Sequence, residues 1–252
     1  MWRVLGSKEA CPALSKIDLT DVKDEIISVG SGLNRLRIAC ISDTHSEEEE
    51  VVVPEADLFA FAGDAVNFSH GSRQMAKFHK WISAVNCKEK VLVAGNHDLY
   101  IEKNRERVET HLLPGVKYLE DRAVSVGPNA SVTVYGAPWI VARNLFYLSS
   151  AFSLPNDKIL DKWKQIPTGV DILVTHSPPW GILDVNKDRT STGSEHLRNE
   201  IAERIHPKIH IFGHNHNFHA AQMGTFANGD KCLFVNASAT KSSKPILIDY
   251  LF

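Results

Sequence analysis

The chain has 252 residues, 43% of them hydrophobic and 23% charged, and a formal net charge of −2. That size and composition suit a soluble globular protein that buries a sizeable core, most simply as one large domain. Near-zero net charge argues against a grip on a nucleic-acid polymer or on an anionic membrane. The first residues, Met1-Trp2-Arg3-Val4-Leu5-Gly6, turn polar at once, with no secretory hydrophobic region and no apolar stretch of membrane-span length anywhere. The four cysteines, Cys11, Cys40, Cys87 and Cys232, lie far apart, and Cys40 and Cys232 sit in apolar runs where a free thiol behaves as a small buried hydrophobe. A reducing, cytoplasmic setting is the expectation.

Residues 1–35 carry mixed charge and Gly30-Ser31-Gly32, and read as an N-terminal arm or short hairpin ahead of a domain over 36–252. Apolar runs at 37–41 and 58–62 predict strands. Between them, Glu47 to Glu50 form an acidic run that reads as a solvated loop; overhanging a site, it would oppose long polyanions. Ser72 is expected to cap a helix to about Val85, with Met75, Phe78, Ile82 and Val85 at helical spacing, and a strand at 90–94 completes a strand–helix–strand unit. A polar helix over 102–111 follows, stopped at Pro114-Gly115. Residues 131–135 read as a strand, 140–160 lack clear periodicity, and 158–164 read as a helix. A second strand–helix–strand unit spans 171–174, 195–205 and 209–212. Asn228-Gly229 signals a hairpin, and 245–250 a last strand.

Five short polar blocks punctuate this pattern: Asp43-Thr44-His45, Gly63-Asp64, Gly95-Asn96-His97-Asp98, Thr175-His176 and Gly213-His214-Asn215-His216. Each follows an apolar run. Singly they are weak, because Gly-Asp is ordinary turn chemistry and loop histidines are commonly just hydrogen-bonded. Together they deliver Asp, His, Asp, Asn and three more His to strand exits, where open α/β sheets gather ligand groups. So many buried polar groups would each cost about 2–7 kcal/mol unpartnered, a cost that bound cations remove. Oxygen and imidazole donors without cysteine suit a pair of divalent ions, not a thiolate zinc site.

The blocks resemble the calcineurin-like metallophosphoesterase superfamily, D-x-H … G-D … G-N-H-[DE] … H … G-H-x-H, at every ligand position. Gly136-Ala137-Pro138-Trp139, Asp161-Lys162-Trp163, Thr175-His176-Ser177-Pro178-Pro179 and Val235-Asn236-Ala237-Ser238 are similar to the small animal metallophosphoesterase-domain-containing proteins, a phosphodiesterase-type branch. The resemblance implies an α/β four-layer α-β-β-α sandwich of two mixed sheets. It implies one metal on Asp43, His45 and His216, another on Asn96, His176 and His214, and Asp64 bridging both. Manganese is the expected pair, with iron or zinc as alternatives. A hydroxide between the ions would attack a small, nucleotide-like phosphodiester in line, while His97 acts as general acid. One sister branch has glycine in place of the histidine at position 214, with weakened metal binding; here His214 is present, which favours an active enzyme.

One departure concerns Asn67, where many relatives carry a carboxylate that pairs with the histidine acid. A neutral carbonyl accepts the imidazole hydrogen bond but stabilises imidazolium less. Trp139 and Trp180, beside turn-forming residues near the second half of the site, are candidate stacking partners for a base or aryl group; Asn96 is a further candidate substrate contact. A lone Arg143 reads as solvent-facing and Asn215 as serving backbone geometry. The competing functional readings are a nucleotide-binding or scaffolding protein with negligible turnover, and a phosphomonoesterase or protein phosphatase. The second lacks the arginine that phosphoprotein-directed relatives carry near the second block, since Gly63 to Phe68 contain none.

Overall fold

A computed structural model describes residues 14–68, 71–143, 149–239 and 244–252. Two mixed sheets form its centre. The first has six strands in the order β2 (Ile26–Gly30), β15 (Ile246–Leu251), β3 (Arg35–Ile41), β4 (Ala56–Ala62), β5 (Cys87–Val93) and β6 (Lys117–Tyr118). The second has seven: β1 (Asp18–Val22), β13 (Ala220–Thr225), β14 (Lys231–Asn236), β12 (Ile209–Phe212), β11 (Ile172–Thr175), β8 (Val132–Ala137) and β7 (Arg122–Val126). Strands β3 to β6 run parallel in one sheet, as do β8, β11, β12 and β14 in the other. A separate parallel pair, β9 (Ile140–Val141) and β10 (Ser153–Leu154), lies in the stretch without sequence periodicity.

The period-2 alternation of side chains sorts the strands into layers. Ile38, Cys40, Leu58, Ala60, Ala62, Val91 and Val93 face Val134, Ile172, Val174, Ile209, Ile211, Leu233 and Val235 in one cluster between the sheets. The alternate residues, among them Phe59, Phe61 and Leu92, and Leu173, Phe212 and Phe234, belong to a second cluster with the helices. Helix α1 (Ser72–Ala84) buries Met75, Phe78 and Ile82 as its spacing predicted, and Phe78 meets Phe61 edge-on at 4.9 Å between centroids. Gly71, not Ser72, is the cap residue. On the other side, α3 (Asn156–Trp163) and α4 (Glu195–Glu200) are joined by a bond from Trp163 Nε1 to Ser194 Oγ, 3.0 Å, while Ser194 Oγ also caps α4 by accepting from Leu197 N.

Three expectations change. Among the described residues of the stretch read as an arm or hairpin, β1 adds antiparallel to β13 and β2 adds parallel to β15, one edge strand to each sheet. Burial explains it, because Ile27 and Val29 complete the cluster between the sheets. The helix expected over 102–111 is broken into α2 (Leu99–Lys103), a 3-10 turn at Arg105–Arg107 and a wide turn at Val108–Leu112. Asn104 ends α2 by donating its amide to Tyr100 O at 2.8 Å, a local bond that competes with helix continuation. The hairpin at Asn228-Gly229 forms, but with five residues between the paired Thr225 and Lys231, Gly229 standing at φ +89°. Cys11 and His70 lie outside the described residues. Among the described residues no helix is long and apolar enough to cross a membrane.

Candidate metal centre

Each predicted ligand leaves a parallel strand at its carboxyl end. Asp43 and His45 follow β3, Asp64 follows β4, Asn96 follows β5, His176 follows β11 directly, and His214 and His216 follow β12. The five exits, three from one sheet and two from the other, converge. Four of the seven residues turn off their strands in the left-handed region, Asp43 at φ 55°, His45 at 46°, Asp64 at 57° and His214 at 71°. Non-glycine residues held there cost on the order of 1–3 kcal/mol each, and such strain concentrates at functional sites. The approach is tight enough that a Cβ on Gly63 would lie 2.4 Å from His176 Nδ1, and one on Gly213 2.3 Å from Asp43 Oδ2. That is why glycine precedes Asp64 and His214.

Asp43, His45 and His216 form one group of donors within 4.8 Å of one another, and Asp64, His176 and His214 form another. In the first, His216 Nε2 is 3.2 Å from both Asp43 Oδ1 and His45 Nε2. In the second, Asn96 Oδ1 lies 2.9 Å from His214 Nδ1 and 3.1 Å from His176 Nε2. Asp64 Oδ2 stands between the groups, 3.3 Å from His176 Nε2 and 3.8 Å from His45 Nε2. His97 joins His45 and Asp64 in a third such triad.

The charge balance of this cluster suits cations. Asp43 and Asp64 are buried, which opposes ionisation, yet His216 and His176 hold Asp43 at about 2 and His176 pulls Asp64 well below the ordinary range. Two ionised carboxylates in the interior need nearby positive charge. In the protein alone His176 supplies it: burial opposes its protonation, but Asp64 and Asp43 raise it to about 9. His214 is pushed down to about 3 by burial and by His176, which favours its neutral form. Among the described residues the buried Nδ1 of His45 has no hydrogen-bond partner. Oxygen and neutral imidazole donors around a negative centre fit divalent metal ions.

Supporting bonds fix the donors. Asp43 Oδ2 accepts from Ser42 Oγ, from Ser238 Oγ at 2.9 Å and from His214 N at 3.0 Å. His176 Nδ1 donates to Ala62 O at 2.9 Å, which turns Nε2 toward the centre. Asp98 accepts from Gly95 N (2.8 Å), Asp64 N (3.0 Å) and Val66 N (3.2 Å), so it ties two ligand loops together. His97 Nδ1 donates to Asn67 Oδ1 at 3.2 Å, its ring lies 3.5 Å from that of Phe68, and its Nε2 is 3.9 Å from Asp64 Oδ2. Burial pushes the His97 imidazole down to about 4, with Asp64 opposing.

Two cavities open on the cluster. One, of about 1150 Å³, is lined by Asp43, His45, Asn67, Glu47, Glu50 and Lys187 among others; the second, of about 300 Å³, is lined by Asp64, Phe68, Asn96, Asn186, His214 and Asn217 among others. His97 and His216 line both. Glu47 and Glu50 thus do overhang the site. Neither candidate tryptophan is among the residues lining these two cavities. Trp139 is buried, donates to Asp121 Oδ1 at 2.6 Å, lies under Lys162 Nζ and packs on Phe152. Trp180 carries the Arg143 guanidinium 5.3 Å above its ring, and its backbone pairs with Ser194. Arg143 is exposed, as expected, and also donates to Gly193 O at 2.7 Å, which braces a loop. Lys187, Lys244, Asn186, Asn217 and Phe68 line the cavities with no sequence signal to single them out.

The sequence model of the calcineurin-like phosphoesterase family matches residues 36–218, which take in all five blocks. The chain belongs to that family. Metallophosphoesterase domain-containing protein 1 of Homo sapiens is 33% identical over 243 residues, covering 84% of this chain and 70% of that protein. A UPF0046 protein of Caenorhabditis elegans is also 33% identical, over 81% of this chain and 75% of its own. The crystal structure of TT1561 of Thermus thermophilus shares the fold, with a TM-score of 0.55 at 14% identity over 80% of this chain and 89% of that one. Membership makes this calcineurin-like phosphoesterase a metal-dependent hydrolase of phosphoesters, and its His and Asp groups are of the kind that hold the metal.

Proposed function

We propose that this calcineurin-like phosphoesterase is a phosphodiesterase acting on a small, nucleotide-like diester with two divalent ions, most simply manganese. The observation that carries the reading is the pair of cavities meeting at His97 and His216. A diester has two arms on its phosphorus, and each cavity offers one arm a seat; a monoester needs only one. When bound, the two cations supply an activated water and a clamp for the phosphoryl oxygens. Asp43, His45 and His216 would hold one, and Asn96, His176 and His214 the other, with Asp64 shared. His97, fixed through Nδ1 by Asn67, presents Nε2 at the cavity junction and would protonate the departing ester oxygen. Glu47 and Glu50 at the larger mouth disfavour a polyanionic chain there, which supports a small substrate.

The test is turnover of bis(p-nitrophenyl) phosphate against p-nitrophenyl phosphate, with manganese added to metal-stripped protein. Preference for the diester is expected. Preference for the monoester would replace the reading with a phosphomonoesterase, and no turnover of either by fully metal-loaded protein would replace it with a binding role.

A further inference from the structure

Asn215, between His214 and His216, is buried, and its side chain bonds into the neighbouring loop and not to the metal cluster. Its Nδ2 donates to Asp184 O at 2.6 Å and to Thr192 Oγ1 at 3.1 Å, while its Oδ1 accepts from Asn217 N at 3.0 Å. Its own carbonyl accepts from Asn236 Nδ2 at 3.0 Å, and Asn236 Oδ1 in turn accepts from the backbone of Ser238, whose hydroxyl donates to Asp43. A third acceptor of the Asn215 amide, Asn186 Oδ1 at 3.3 Å, belongs with Asp184 and Thr192 to one loop. Residues 184–193 fold back on themselves through Asn186 N to Thr190 O (2.8 Å) and Thr192 N to Asp184 O (3.0 Å). The buried carboxylate of Asp184 accepts from Gly193 N at 2.9 Å and from Ser191 Oγ. The tip of this loop carries Asn186 onto the smaller cavity and Lys187 onto the larger.

We propose that Asn215 is a positioning residue that clamps the 184–193 loop to the His214–His216 pair, so that Asn186 and Lys187 form the shared wall between the two ester-arm cavities. The role of that wall rests on the diester reading; the clamp does not. Only a carboxamide meets the demands of this position, because it offers two N–H donors to the loop and an acceptor to Asn217 from one buried side chain. The clamp makes the loop a specificity element: it sets how a diester's arms are seated without touching the metals.

Hydrogen exchange of the loop amides, metal content and steady-state kinetics with bis(p-nitrophenyl) phosphate test it in Asn215→Leu and Thr192→Val. In Asn215→Leu, exchange of the 186–193 amides should quicken and KM rise, each about tenfold, the net worth of one to two hydrogen bonds. Metal stoichiometry should hold and kcat should move far less than KM. Thr192→Val, remote from the metal donors, should shift exchange and KM in the same direction by a smaller factor, and it decides the matter if Asn215→Leu fails to fold. Unchanged exchange in both variants, or a fall in kcat and metal content at constant KM, would overturn the proposal. If the wild-type protein shows no diester turnover, the diester reading falls while exchange alone still decides the clamp.

Discussion

At the scale of single residues, His97 and Asn67 make the sharpest claims. His97→Ala should retain both metals by elemental analysis and lose about 10²-fold or more in turnover of esters with poor leaving groups, with a smaller loss for p-nitrophenyl esters. Metal loss in that variant would make His97 a ligand, as its triad with His45 and Asp64 allows. Asp64→Asn, by contrast, should strip at least one metal; full stoichiometry would sink the bridging role. An acid must carry its proton, so activity falls as pH rises through the His97 pKa. Asn67 accepts from Nδ1 without charge, and Asn67→Asp favours the imidazolium. The descending arm of the kcat–pH profile should therefore move to higher pH in Asn67→Asp, and a fixed arm would deny the pairing any catalytic weight. The clustered Asp and His side chains and the His97–Asn67 pair were legible because short blocks carry them. Closeness in sequence to a site does not say which side of a turn a ring faces: the buried Trp139 indole is claimed by Asp121 and the core.

At the scale of elements, apolar periodicity located the central strands and α1, whose buried Met75, Phe78 and Ile82 match their helical spacing. It failed where local chemistry or distant partners decide. Asn104 ends α2 with its own amide, and the edge strands β1 and β2 find partners some 200 residues away. Strand exits impose their own demand. Gly213→Ala would drive a methyl group into Asp43 Oδ2 and Ser42 Oγ. It should cost about 1–3 kcal/mol, the usual toll of overpacking, and lower metal affinity in parallel. Chemical denaturation and metal titration read the two effects. On the helical layer, Trp163 is fully buried and tied to Ser194. Trp163→Ala should cost about 3–5 kcal/mol by denaturation, with metal stoichiometry retained if the centre and this layer are independent.

At the scale of the whole molecule, the donors come from both sheets: β3, β4 and β5 supply Asp43, His45, Asp64 and Asn96, and β11 and β12 supply His176, His214 and His216. Bound cations would thus fasten the two sheets at one end. A metal held at 100 times its dissociation constant adds about 2.7 kcal/mol, so chelation should lower Tm by roughly 5–10 °C and abolish turnover, both restored by manganese. An unchanged Tm would place the metals outside the folding unit. The chain by itself determined the Asp, His and Asn blocks and the alternation that makes strands, because both are written within a few consecutive residues. Only the tertiary structure decided which donors share a group, that two cavities meet at His97, that Lys187 and Asn186 stand over them, and that the N-terminal strands join separate sheets. Those depend on how distant segments pack, and pairing between strands so far apart in the chain leaves no mark on local sequence.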